Sequence, residues 1–144
     1  MELSRVLGID YGTVRIGLSL SDPLGIIAQP FEILANNGQF WEKLKGIVET
    51  QGIHLIVVGM PLNLKGEKAQ KAQEVEKFIE RLKEESGREI VVWDERFTSA
   101  IAQQTLRSMG TKKSDRRKKG QIDSMAAAII LQSFLDSTKR SLSC

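Results

Sequence analysis

The chain has 144 residues, 41% of them hydrophobic, and a formal net charge of +3, enough for a single core that needs no staples. Its one cysteine, Cys144, excludes an intrachain disulfide, and its one histidine, His54, leaves no Cys/His set for zinc. No apolar run reaches the roughly 18 residues of a membrane helix, and MELSRVLG lacks the pattern of a signal peptide. The expectation is a cytoplasmic protein with no membrane attachment.

In chain order, RVLGID (5–10) reads as a strand. RIGLSLSD (15–22) alternates Ile16, Leu18 and Leu20 with small or polar residues, the period of a half-buried strand. The short YGTV link makes the two a hairpin, with Gly12 in its turn. IIAQPFEIL (26–34) is a third strand, and its Pro30 predicts an edge or a bulge. Phe40, Trp41, Leu44, Ile47 and Val48 fall on one face of a helix over 38–52, with Gly52 as its stop. HLIVVGM (54–60) has the β-branched run of a strand buried on both faces. A long helix spans 67–87, striped by Ala72, Val75, Phe78, Ile79 and Leu82 and closed by Gly87; a further strand covers 88–95. Thr98 caps a helix that ends at Gly110, the block KKSDRRKK (112–119) is a loop, and 121–137 is the final helix. The domain is expected to end at residue 137, with 138–144 a disordered tail. The first three strands are joined antiparallel, and helical crossovers make the later ones parallel.

Three acid sites then fall where ligands gather in α/β sheets, outside the carboxyl ends of strands. Asp10 ends the first strand, and Asp94 and Glu95 end the last. Asp123 lies in the first turn of the final helix, on the face of Ala126, Ala127, Ile130 and Leu131. Two carboxylates about 4 Å apart repel by roughly 4 kcal/mol at an effective dielectric near 20, so three converging acids need a divalent cation. With no sulfur or imidazole set, that cation is a hard one held by oxygens, Mg²⁺ or Mn²⁺. Two such ions with substrate bound would clamp the attacking and leaving oxygens of a phosphodiester. Each acid also has a plainer reading: Asp10 as a turn residue, Asp123 as a partner of the helix dipole, and Asp94–Glu95–Arg96 as a surface ion-pair cluster. The basic block has six cations and one acid, the footprint of a nucleic-acid binder, or simply a solvated loop.

GIDYGTVRIGLSLSD, VVGMPLNLKGE, VWDERFTSAIAQQTL and KKGQIDSMAAAIILQSFL together resemble the signature segments of the YqgF/RuvX-type family, over about residues 5–135. The resemblance implies a ribonuclease-H-like α/β fold: a mixed five-stranded sheet, first three strands antiparallel, last two parallel to the first, with helices on both faces. It implies a divalent-metal nuclease, described for the family either as processing the 5′ end of pre-16S ribosomal RNA or as resolving Holliday junctions. The family's catalytic, metal-holding acids map to Asp10, Glu95 and Asp123. Asp94 is either an alternative ligand or, with Thr98, a support behind the ligands. Arg15 and Arg96 are candidate forks for phosphate. Lys112, Lys113, Arg116, Arg117, Lys118 and Lys119 would track a backbone of structured RNA or branched DNA. A monomer or weak homodimer is expected. Two other classes stay open: a non-catalytic nucleic-acid-binding factor, and an ATPase-like phosphate binder, since G-I-D-x-G-T also resembles the first phosphate loop of the actin/sugar-kinase superfamily.

Overall fold

A computed structural model describes residues 4–61, 70–95 and 119–142, with side chains omitted at 70, 119–124 and 139–142. Strands β1 (Arg5–Asp10), β2 (Arg15–Ser21), β3 (Ala28–Ala35), β4 (Ile53–Met60) and β5 (Glu89–Asp94) form one sheet in the order β3-β2-β1-β4-β5. β1–β2 and β2–β3 are antiparallel, whereas β1–β4 and β4–β5 are parallel. This is the expected mixed sheet. The carboxyl ends of β1, β4 and β5 therefore share one edge. Pro30 does both things expected of it: β3 is an edge strand, and the β2–β3 register shifts between Leu18 and Ser19, where Ser19 faces Pro30.

Helices α1 (Phe40–Thr50) and α2 (Gln70–Ser86) cover one face. Their buried residues, Phe40, Leu44, Ile47 and Val48 from α1 and Ala72, Val75, Phe78, Ile79 and Leu82 from α2, pack on Leu7, Ile9, Ile16 and Leu18. Gly52 and Gly87 end these helices with φ of 64° and 63°, left-handed values that cost a residue with a Cβ about 1–2 kcal/mol. Helix α3 (Lys119–Leu142) covers the other face, with Ala127, Ala128, Ile130, Leu131 and Leu135 buried or packed against Val6 and Val57.

The final helix is longer than expected at both ends. It begins at Lys119, so this residue of the basic block opens a helix instead of sitting in a loop. Asp123 then stands in the second helical turn, not the first. Residues 138–142, expected as tail, continue the helix, and the Thr138 hydroxyl donates to the Leu135 carbonyl at 2.8 Å. Without a proline or glycine after Gly120, nothing in the local sequence stops it. The expected helix at 98–110 and residues 112–118 of the basic block lie outside the described residues.

A strand-edge carboxylate site

Side chains of β1 alternate between the two layers. Leu7, Ile9 and Tyr11 belong to the α1/α2 core, and Val6 belongs to the α3 core. Asp10, in step with Val6 and Gly8, therefore lies on the α3 face at the carboxyl end. Tyr11 fixes the loop that follows by packing on Phe78 of α2, ring centroids 4.9 Å apart. Gly12 keeps this turn close for a steric reason: a Cβ there would collide with the Arg15 carbonyl oxygen. Its own carbonyl accepts from Asn36 Nδ2 at 2.8 Å. Arg15 opens β2 in step with Ser19, whose hydroxyl donates to the Ala127 carbonyl of α3 at 2.8 Å. Arg15 thus falls on the same face and edge as Asp10.

β5 separates the two adjacent acids. Val91 and Trp93 pack in the α3 core and Ile90 in the other, so Asp94 falls on the α2 face and Glu95 on the α3 face. Glu95 lies over Gly59 of β4: a Cβ on Gly59 would meet Glu95 Cγ at 3.2 Å and Ile130 Cδ1 at 2.6 Å. Gly59 thus makes the space that Glu95 fills. Gly59→Ala is expected to displace the buried Ile130 methyl and to push Glu95 aside. If Glu95 serves catalysis, a displacement of that kind costs about ten- to a hundredfold in rate, measurable as kcat, with the melting curve read beside it for the cost of moving Ile130.

α3 enters the site by its register on the sheet. Ala127 and Leu131 lie against Gly8, while Gln132 reaches the start of β3, donating to the Ile26 carbonyl at 3.1 Å and accepting from the Ala28 amide at 2.8 Å. The helix therefore runs antiparallel to β1, and its amino-terminal part lies at the carboxyl edge. Position 123, one turn before Ala127, comes to the edge that holds Asp10 and Glu95. Arg96, Thr98, Lys112, Lys113, Arg116, Arg117 and Lys118 lie outside the described residues, and only the backbone of Asp123 and Lys119 is described.

Burial raises the Glu95 carboxyl above the usual carboxylate range, the Lys71 charge works against that rise, and the Asp94 charge adds to it. A raised pKa in the fold means that ionised Glu95 weakens the metal-free fold at neutral pH. Its contribution to stability is fully present below the unfolded pKa and is lost as pH rises through the folded value. Glu95→Gln is accordingly expected to raise Tm in chelator at neutral pH, and the gain is expected to vanish on acidification. A gain that does not depend on pH would contradict a buried charge.

The donor set suits a hard cation. Asp10 and Glu95 offer only oxygen, and the disfavoured ionised form of Glu95 is what a bound dication offsets. Among the described residues no three metal-donor side chains gather, and the Asp123 side chain is outside that set. Two residues escaped the sequence reading. Gly8, a glycine inside a strand, already signals close approach; in the structure it admits α3. Lys71 reads as one more charge on a polar helix, and only the fold brings it near Glu95.

The strand order and the two-sided helical cover define a ribonuclease-H-like α/β protein. The chain belongs to the family described as RuvX: Holliday junction resolvase, whose model matches residues 4–137. A relative from Sulfurihydrogenibium sp. is 43% identical over 136 residues, spanning 93% of this chain and 91% of its own. One from Salinibacter ruber is 41% identical over 136 residues, 94% of each chain. Both carry the name "Putative pre-16S rRNA nuclease". Among solved structures, T. thermophilus RuvC in complex with a Holliday junction substrate superposes with a TM-score of 0.60 at 15% identity, covering 94% of this chain and 96% of that one. The fowlpox virus Holliday junction resolvase gives 0.53 at 12% identity, covering 93% and 99%. These two likenesses are of fold. No helix among the described residues is long and apolar enough to cross a membrane.

Proposed function

We propose that this protein is a divalent-metal-dependent nuclease that hydrolyses phosphodiester bonds of a structured nucleic acid in the cytoplasm. What supports this reading is that strand alternation puts Asp10 on the α3 face at the carboxyl edge, that Glu95 lies beside Gly59 and Ile130 on that face, and that the register of α3 on Gly8 brings the backbone of position 123 toward the same edge. Asp10, Glu95 and Asp123 would hold Mg²⁺ or Mn²⁺, with two ions present when substrate is bound. Glu95 is the β5 ligand, because Asp94 falls on the opposite face. Bound there, such cations supply Lewis acidity to the phosphoryl group and lower the pKa of the attacking water. The chain's own part is to hold carboxylates rigidly at strand ends, to seat Glu95 in the space left by Gly59, and to close the site on one side with α3.

Arg15 is the phosphate fork on the near side of the turn; Arg96 would be a second fork and Thr98 a support for the acids. The segment 112–119 gives affinity along the backbone with little sequence choice. The names of the relatives favour the 5′ end of pre-16S ribosomal RNA as substrate. The family description favours a second reading, resolution of branched DNA, which needs two sites on a two-fold dimer.

One assay separates them: single-stranded RNA, an rRNA precursor and a four-way DNA junction offered together with Mn²⁺, and again with chelator. Cleavage of the precursor alone supports the first reading, and paired nicks in the junction support the second. Cleavage unaffected by chelator would overturn the metal site. Sedimentation of the free protein supplies its oligomeric state.

A further inference from the structure

We infer that Lys71 and Thr13 form a docking point for one backbone phosphate of the bound strand, beside the phosphate that is cut. The inference rests on the nuclease reading and adds a contact to it. Gly12, Thr13, Lys71 and Glu74 line one open cleft. Two of its lining residues, Gly12 and Thr13, belong to the loop that directly follows Asp10.

The position of Lys71 on α2 is specific. Residues 71, 75 and 78 share one helical face. Val75 is buried and Phe78 packs against Tyr11. The stripe that buries α2 on the sheet ends in Ala72, one turn before Val75, and the next residue outward, Lys71, is exposed at the cleft. Lys71 is exposed and makes no hydrogen bond or ion pair at contact distance among the described residues, yet its charge reaches Glu95. The Tyr11–Phe78 contact fixes α2 against the loop, so Lys71 and Thr13 line the same cleft. A phosphate oxygen suits that pair: a point cation and a small neutral donor, with no base-reading geometry.

Glu74 lines the same cleft and opposes an anion, which makes the charge logic testable from both sides. α3 and Arg15 lie on the other face of the sheet. A strand held at Lys71 as well would therefore be gripped from both sides of the edge.

The test is nucleic-acid binding in an Asp10→Asn/Glu95→Gln background without divalent cation, which removes cleavage and any effect of Lys71 acting through Glu95. Lys71→Ala is expected to weaken binding about five- to tenfold near about 0.1 M salt, and to lower the slope of log K against log salt by about 0.7–0.9, the loss of one phosphate contact. Lys71→Arg is expected to keep both values, and Glu74→Gln to tighten binding. An rRNA precursor and a four-way junction serve as parallel probes, and the probe on which the slope changes identifies the polymer. Unchanged affinity and slope in Lys71→Ala, with the background protein binding normally, would overturn this inference. Failure of the background protein to bind either probe would instead overturn the nuclease reading.

Discussion

Asp10→Asn is expected to reduce cleavage by about a thousandfold or more, while nucleic-acid binding survives. The substitution keeps shape and removes one negative charge from the edge of β1, where Asp10 pairs in register with Gly17 of β2. An amide oxygen is a weaker donor to a hard cation than a carboxylate. The charge stabilisation that a metal gives a phosphoryl group amounts to several kcal/mol, and each 1.36 kcal/mol is tenfold in rate. Binding depends on cations spread over the protein, so losing one acid leaves it equal or slightly tighter. The measurement is single-turnover cleavage beside equilibrium binding on the same substrate. Undiminished cleavage would remove Asp10 from the site. Loss of cleavage together with loss of binding would mark Asp10 as a structural residue of the turn.

Gly8→Val is the second large effect, and it acts through packing. A Cβ at position 8 would meet Leu131 Cβ at 2.8 Å and the Ala127 carbonyl oxygen at 3.1 Å, and would collide with the Ser19 hydroxyl. Two of these neighbours are backbone or near-backbone atoms of α3, which cannot turn aside as a flexible side-chain end does. The helix must lift. Overpacking of this kind costs about 1–3 kcal/mol, occasionally more, and the Ser19–Ala127 hydrogen bond goes with it. Denaturant unfolding is expected to register that loss. Cleavage is expected to fall further than the stability change alone accounts for, because the same helix carries Asp123 one turn from the point of collision. A Gly8→Val protein with wild-type stability and activity would mean that α3 does not depend on this contact for its place.

These two variants separate chemistry from placement. Asp10→Asn leaves the edge intact and changes a donor. Gly8→Val leaves every acid intact and shifts the element that brings one of them in. Gly59→Ala and Glu95→Gln make the same division at β5, the first moving the carboxylate and the second discharging it.

Much of the architecture was legible in the chain because it rests on local rules. Alternation in β2, the apolar stripes of α1 and α2, and glycines at their stops each depend on residues a few positions apart, and so did the position of Asp10 at a strand end. The choice between Asp94 and Glu95 could not be made that way. Neighbouring residues of a strand point to opposite faces, and which face belongs to α3 depends on a helix some thirty residues further on. The extent of α3 was only half legible: no proline or glycine follows Gly120 to stop it, but the stretch TKRSL has no apolar stripe of its own, and its helical form continues from a turn anchored on the sheet.

By itself, then, the sequence determined the element types, the antiparallel-then-parallel order, and the kind of donors available: oxygen acids with no thiolate or imidazole set. Only the tertiary structure decided that Gly8 and Gly59 are spaces filled by α3 and Glu95, and that Lys71 lines one cleft with Gly12 and Thr13. The physical reason is range. Periodicity and turn chemistry act within a few residues, while a site at a sheet edge is assembled by strand register and helix packing between segments that are distant along the chain.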